Sequence, residues 1–199
     1  MPAFDDLPIK TERLVLRPFS TSDARDLFGI YSDPEVMRFW SSTSWGSIER
    51  AHETLERDIK GFENGEHLCL ALERERDARM IGQCTLFKIS EDCRRAEIGY
   101  CLASGAWGNG YMHEALRALI AYGFTHLNLN RIEADIDPRN EASVKSVERL
   151  GFVREGLLRE RWIVNGEDSD SAIYGLLYKD WSTLSTEAHA NDSASNTRK

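Results

Sequence analysis

Residues 97–116 read Glu-Ile-Gly-Tyr-Cys-Leu-Ala-Ser-Gly-Ala-Trp-Gly-Asn-Gly-Tyr-Met-His-Glu-Ala-Leu, and this stretch is the most informative part of the sequence. An alternating strand pattern leads into a loop that contains Gly108 and Gly110, and a helix follows directly. Such a loop exposes backbone N–H groups beside the positive end of a helix dipole, an arrangement that suits a pyrophosphate. Glycine allows a close approach that a side chain would block. Taken alone, this short pattern is also typical of a plain turn.

A second informative stretch, residues 137–152, reads Asp-Pro-Arg-Asn-Glu-Ala-Ser-Val-Lys-Ser-Val-Glu-Arg-Leu-Gly-Phe. Here Asn140 predicts the N-cap of a helix, Ser143 lies one turn in, and Gly151-Phe152 closes the helix. The two stretches, in this order and spacing, resemble the GNAT superfamily of N-acetyltransferases, and specifically the branch that contains the ribosomal-protein N-terminal acetyltransferases. The resemblance covers almost the whole core and includes Thr-Glu-Arg-Leu-Val-Leu-Arg at 11–17 and Asn-Gly-Glu-Asp-Ser-Asp at 165–170.

The resemblance implies acetyl-coenzyme A (acetyl-CoA) as the cosubstrate and places its binding residues. The family's pyrophosphate loop falls on Trp107, Gly108, Asn109, Gly110, Tyr111 and Met112. Trp107 in place of Gln or Arg is normal for this branch, whereas Met112 stands where Gly or Ala is usual and puts a side chain near the phosphates. Its backbone amide remains available, so we expect binding to survive. Asn140 matches the asparagine that hydrogen-bonds the pantetheine arm, and Ser143 matches the serine near the coenzyme sulfur. Tyr100, Cys101 and Leu102 match a strand of the family. The backbone of that strand pairs with the pantetheine and polarises the thioester carbonyl.

Two residues are candidates for catalysis. A protonated amine is not a nucleophile, so some group must accept its proton, directly or through water. Glu97 is the candidate base, because it starts the strand that meets the thioester and some superfamily members carry the base glutamate there; an ion pair with Arg94 or Arg95 is the structural alternative. Ser143 is the candidate donor to the leaving thiolate, with a plain helix-cap serine as its alternative. Many superfamily members place a tyrosine donor in this helix, but the matching position here is Val147.

The hydrophobic periodicity along the rest of the chain predicts one α/β (α+β) domain. We expect a GNAT-type mixed, largely antiparallel sheet of about seven strands flanked by about four helices. Residues 1–8 form an N-terminal extension, 9–182 the acetyltransferase domain, and 183–199 a disordered tail without apolar period. The expected strands are 9–19, 67–73, 80–89, 96–102, 131–136, 152–164 and 169–178, and helices are expected after 21–23, from 33–34, over 47–65, over 112–127 and over 140–150.

Composition excludes several classes of function. The 199 residues carry a formal net charge of −8, which argues against a nucleic-acid binder. No signal peptide and no stretch of about 18 apolar residues is visible, so we expect a cytoplasmic protein that does not enter membranes. Four cysteines without paired spacing indicate reduced thiols. His113-Glu-Ala-Leu-Arg117 lacks the second histidine of a zinc-protease motif, so no metal is expected.

The resulting functional hypothesis is acetyl transfer from acetyl-CoA to a primary amine by direct attack in a ternary complex. The branch resemblance favours a protein N-terminal α-amino group as acceptor, although relatives acetylate small amines such as polyamines and antibiotics, and it implies a homodimer. A non-catalytic acyl-CoA sensor is the alternative; it would keep Gly110 and Asn140 and could dispense with Glu97 and an acceptor channel. The segments 39–47 and 159–170 are expected to shape the acceptor pocket, with Trp40, Trp45, Trp162 and Tyr174 as candidate lining residues.

Overall fold

The computed structural model describes residues 3–184, which form a mixed α/β domain around one eight-stranded sheet. The strands are β1 (Ile9–Lys10), β2 (Leu14–Pro18), β3 (Leu68–Arg74), β4 (Arg79–Ser90), β5 (Arg95–Leu102), β6 (Arg131–Ile136), β7 (Val153–Val164) and β8 (Glu167–Leu177). The helices are α1 (Ala24–Tyr31), α2 (Pro34–Met37), α3 (Glu49–Glu63), α4 (Tyr111–Thr125) and α5 (Glu141–Arg149), with short 3₁₀ turns at Thr21–Asp23 and Ser104–Ala106.

The strand order is β1-β2-β3-β4-β5-β6-β8-β7, and only the β5–β6 pair is parallel. The predicted class of fold is therefore confirmed, with one strand more than expected. The extra strand arises because residues 9–19 do not form one strand. Thr11 donates its backbone N–H to the Leu14 carbonyl, and this turn folds β1 back on β2.

Both ends of the expected domain differ in detail. In the expected extension 1–8, Phe4 and Leu7 pack against the core. At the other end the chain is helical from 178 to 184, so this helix follows β8 and passes residue 182, the expected domain end. The disordered tail is expected over 183–199, and its residues from 185 onwards lie outside the described residues.

Different helices pack against the two faces of the sheet. Leu70, Leu86 and Ile98 pack with Leu116 and Leu119 of α4 on one face. On the other face a second cluster joins the sheet to α1 and α3, built from Ala71, Met80, Cys101, Leu27 and Leu55 among others. Because α1–α3 cover only part of this second face, the rest of it is free to line a cavity.

The thiols follow this packing only in part. Cys69, Cys84 and Cys101 are buried and unpaired, as expected for small apolar side chains, but Cys93 is exposed in the turn between β4 and β5.

Two irregularities in the centre of the sheet position the candidate site. Strand β4 contains a bulge, because Phe87 pairs with Glu97 and Ser90 with Arg95, which leaves two residues of β4 opposite one of β5. Lys88 lies in this bulge with φ of +51°. The parallel pairing of β5 with β6 covers only three residues, from Arg95 to Glu97. Beyond Glu97 the two strands separate, so the edge of β5 from 98 to 102 is not paired with β6.

Candidate active site

The loop between β5 and α4 presents a set of backbone N–H groups that no described residue accepts from. Gly108 and Gly110 both have positive φ, +74° and +77°, which favours glycine at both positions. Gly110 is the N-cap of α4 and makes no side-chain cap. Within residues 3–184, no acceptor is found for the backbone N–H of any residue from 108 to 113. A helix that begins in this way offers its N-terminal donors to an anion.

The loop is held rigid by hydrogen bonds from side chains. The Trp107 indole donates Nε1–H to the Leu102 carbonyl at 2.8 Å, which joins the loop to the end of β5. The Asn109 amide donates to the carbonyls of Trp107 at 2.9 Å and Ala106 at 3.2 Å. Tyr111 is buried, and half-buried Met112 packs against the core. The donors are thus fixed in place before any ligand binds.

The first turn of α5 faces the open edge of β5. Asn140 caps the helix, because its Oδ1 accepts from the Ser143 backbone N–H at 3.1 Å, as predicted. The Tyr100 hydroxyl, which projects from β5, donates to the Ser143 carbonyl at 3.4 Å. Burial raises the pKa of Tyr100 to about 12, so the phenol is protonated at neutral pH. Val147, one turn further along α5, is fully buried and carries no proton donor.

A cavity of about 690 Å³ lies on the sheet face that α1–α3 leave free. Its floor consists of alternate residues of neighbouring strands, which the register brings to the same face: Cys69 beside Thr85, Thr85 beside Gly99, and Phe87 beside Glu97. Asn140 and Ser143 also line it. The cavity therefore brings together four of the predicted site residues, namely Glu97, Tyr100, Asn140 and Ser143.

The walls of this cavity come from the two segments expected to shape it. The first contributes Phe39, Trp40, Ser41, Ser42 and Trp45, and the second contributes Trp162, Ser169 and Asp170 near the β7–β8 hairpin. Trp45 stacks on Tyr31 with ring centroids 4.4 Å apart. Tyr174 does not line the cavity, because β8 directs it into the core, where only 2% of it is exposed.

Glu97 is paired, but with neither of the arginines expected. Lys88 Nζ contacts both of its carboxylate oxygens, at 2.8 and 2.9 Å. The bulge in β4 places Lys88 beside Glu97, whereas Arg95 bonds Glu133 and Arg94 bonds Asn128. The carboxylate is therefore fixed at the cavity floor by a lysine that is itself half exposed.

The inner end of the cavity carries polar residues that the sequence did not point to. Gln83 is buried; its Nε2 donates to the Tyr31 hydroxyl at 2.5 Å and its Oε1 has no partner among the described residues. His67 Nε2 lies 3.5 Å from Oδ1 of buried Asp58. The ring of His67 occupies the space above Gly61 of α3, where a Cβ would come within 2.1 Å of Cε1. In the sequence, the signal for this packing is Gly61, a glycine in the interior of a helix.

Of the remaining predicted residues, Trp107 to Gly110 form the loop after β5, and Tyr111 and Met112 begin α4. Cys101 and Leu102 are buried in the strand between loop and cavity. The described residues contain no helix long and apolar enough to cross a membrane. They also contain no cluster of three or more His, Cys, Asp or Glu side chains that could bind a metal ion.

Comparison with known proteins identifies the family of this chain. Residues 13–153 match the acetyltransferase (GNAT) domain. The uncharacterized N-acetyltransferase p20 of Bacillus licheniformis is 38% identical over 173 residues, which cover 86% of this chain and 96% of that protein. The spermidine N-acetyltransferase of Vibrio cholerae, solved in complex with CoA and spermine, is 25% identical with a TM-score of 0.76, covering 85% of this chain and 98% of that one.

The fold is also that of the ribosomal-protein-S5-alanine acetyltransferase of Vibrio fischeri, with a TM-score of 0.78 at 24% identity over 88% of this chain and 99% of that one. The domain match spans most of the chain, and it includes the N–H cradle, the open strand edge and the capped helix described above. The chain therefore belongs to the GNAT family of acetyl-CoA-dependent N-acetyltransferases.

Proposed function

We propose that the chain transfers the acetyl group of acetyl-CoA to a primary amine bound in the 690 Å³ cavity, with a protein N-terminal α-amino group as the favoured acceptor. The observation that carries the proposal is the continuity of the site. The unpartnered N–H groups of residues 108–113, the open edge of β5 and the first turn of α5 lie in sequence along one path that ends in the cavity.

The donor half of this path fits acetyl-CoA at three points. The cradle of N–H groups suits the pyrophosphate, since it combines free donors with the positive end of α4. The unpaired edge of β5 suits the amides of the pantetheine arm, which can add to it as a strand would. A backbone N–H of this edge that points at the thioester oxygen stabilises the negative charge formed during attack.

The acceptor half supplies the chemistry of the amine. Glu97 accepts the proton that the amine loses, directly or through a water, while Lys88 fixes the carboxylate against the cavity. The new C–N bond forms as the C–S bond breaks, and the sulfur leaves as a thiolate near Ser143. Ser143 is the proposed donor to that thiolate. No covalent enzyme intermediate is required, because both substrates are bound together.

A non-catalytic sensor would need the cradle but neither the cavity nor Glu97. The chain has all three, and this supports catalysis over sensing. The preference for a protein N-terminus rests on the sequence resemblance to the branch of ribosomal-protein N-terminal acetyltransferases. The spermidine acetyltransferase among the relatives makes polyamines the acceptor class to test beside it.

The first test is calorimetric titration with acetyl-CoA, with NAD as the control ligand. We expect saturable binding of acetyl-CoA alone; absence of binding would overturn the proposal. Thiol release is then measured with peptides that begin in Ala or Ser, with the same peptides N-terminally blocked, and with spermidine. Turnover with the free peptides and none with the blocked ones supports the favoured acceptor. Turnover with spermidine alone would keep the reaction and replace the acceptor, whereas binding without any turnover across amines would favour the sensor.

A further inference from the structure

The segment that precedes β2 is bound to the first turn of α4, more than a hundred residues away in sequence. Glu114 Oε1 accepts from the Thr11 hydroxyl at 2.6 Å and from the Arg13 backbone N–H at 2.7 Å. Glu114 Oε2 accepts from Arg13 Nε at 2.7 Å. The same guanidinium reaches past the helix end, and its Nη1 donates to the Asn109 carbonyl at 2.9 Å. One arginine thus joins the carboxylate of α4 to the glycine loop in front of it.

This contact determines the direction of an N–H group in the cradle. The described peptide bonds are trans except Leu7-Pro8, and in a trans peptide the carbonyl and the following N–H point in opposite directions. Because Arg13 binds the Asn109 carbonyl, the Gly110 N–H points away from Arg13. The Asn109 side chain acts in the same way one step earlier, since it binds the Trp107 carbonyl and so directs the Gly108 N–H. Among residues 3–184, neither glycine N–H group has an acceptor.

The contact also neutralises the negative charge of Glu114 at the N-terminus of α4. Glu114 lies in the first turn of α4, where its negative charge alone would oppose a bound anion. Although burial acts to raise the pKa of Glu114, hydrogen bonds from Thr11 and Arg13 outweigh it and hold that pKa below its ordinary value, so the carboxylate is ionised at neutral pH. Arg13 neutralises it at 2.7 Å. Arg13 also stacks on Tyr111, with Cζ 4.7 Å from the ring centroid, which fixes the guanidinium.

We propose that Arg13, fixed by Glu114, is a positioning residue for the pyrophosphate of the acyl donor. It acts by aiming the Gly110 N–H at the phosphates and by cancelling the charge of Glu114, and it does not touch the reacting atoms. The inference rests on the proposed function. It gives a role to Thr11 and Arg13, which lie outside the predicted site, and to the Glu114 carboxylate next to His113.

The test compares two acyl donors that differ at the phosphates. Acetyl-CoA contains the pyrophosphate, whereas acetyl-pantetheine has the same thioester and arm without phosphate or nucleotide. Arg13→Met is expected to lower kcat/KM for acetyl-CoA about tenfold or more, as for loss of one charge-assisted hydrogen bond in the cradle. The value for acetyl-pantetheine is expected to stay within about twofold, because that donor does not use the cradle. Arg76→Met, in the exposed turn between β3 and β4, is the matched control and should change neither value.

Two further variants separate positioning from folding. Arg13→Lys keeps the charge but cannot bind Glu114 and Asn109 together, so we expect an intermediate loss with acetyl-CoA. Glu114→Gln keeps an oxygen for Thr11 and loses the charge, so its loss should be smaller than that of Arg13→Met. Equal losses with both donors would show a merely structural role and overturn the inference. Unchanged kinetics of Arg13→Met with acetyl-CoA, when the wild type turns over acetyl-CoA, would also overturn it. A wild type that does not bind acetyl-CoA would overturn the proposed function as well.

Discussion

Asn140 has two amide atoms with two separate tasks, and substitution can remove them one at a time. Its Oδ1 accepts from the Ser143 N–H at 3.1 Å and caps α5. Its Nδ2 has no acceptor among residues 3–184, which leaves it free for a carbonyl of the pantetheine arm. Asn140→Ala removes both atoms. We expect it to lower the free energy of unfolding by about 1 kcal/mol, the usual cost of a lost N-cap. The same change should raise the Kd for acetyl-CoA by roughly 2- to 13-fold, which corresponds to one neutral hydrogen bond of about 0.5–1.5 kcal/mol.

Asn140→Asp is the informative partner of this variant, because it keeps the oxygen and removes the donor. The free energy of unfolding should stay at the wild-type value or rise by about 0.5 kcal/mol, since a carboxylate interacts favourably with the helix N-terminus. The Kd for acetyl-CoA should still rise at least as much as in Asn140→Ala. Urea unfolding and calorimetric titration measure the two quantities independently. An Asp variant that binds acetyl-CoA as tightly as the wild type would refute the role of Nδ2, and one as unstable as the Ala variant would refute the cap.

Three other outcomes are expected. Glu97→Gln should lower kcat by about 10²- to 10⁴-fold and leave calorimetric binding of acetyl-CoA unchanged, because the carboxylate is proposed to accept the amine proton. A kcat equal to that of the wild type would show that Glu97 acts only as the ion-pair partner of Lys88. Gly61→Ala should destabilise the protein by about 1–3 kcal/mol in urea, since its Cβ would overlap His67. Gly29, at an exposed position of α1, has open space around it, so Gly29→Ala should stabilise the protein by about 0.5–1 kcal/mol; the reverse order would contradict the packing. The pKa of Glu114 is lowered, so the stability that the carboxylate contributes is present above pH 4.5, its ordinary pKa, and is lost as the pH falls through the lowered pKa. In Glu114→Gln, acid titrations of the free energy of unfolding should lack this contribution. Titration curves that coincide with the wild type would contradict the assignment.

Local chemistry made much of the donor half predictable from the sequence. The glycines at 108 and 110 do adopt left-handed backbone angles, and Asn140 does cap α5, because both properties depend on a few neighbouring residues. The two segments that wall the cavity were also predicted: 39–47 connects α2 to α3, and 159–170 is the hairpin end of β7 and β8. In all these cases the signal and the structure it forms lie within one turn, one loop or one hairpin.

Long-range register explains what the sequence did not predict. The partner of Glu97 is Lys88 rather than its neighbours Arg94 and Arg95, because the bulge in β4 brings a residue of another strand beside it. Glu114 meets Arg13 only when the sheet places β2 against α4. Gln83 shares the cavity with Asp58 because α3 packs over β3 and β4. A pattern of period two or 3.6 shows which face of an element is buried but does not show which residue lies opposite.

The two halves of the site come from different blocks of the chain, and this has an evolutionary consequence. Residues 98–143 supply the donor half, whereas the cavity walls come from 31–67 and from 162–171 at the two flanks. Mutations in the flanks can therefore reshape the cavity while the central block continues to bind the same thioester. Substitutions that alter the choice of amine and substitutions that alter coenzyme binding therefore fall mainly on separate stretches of the chain.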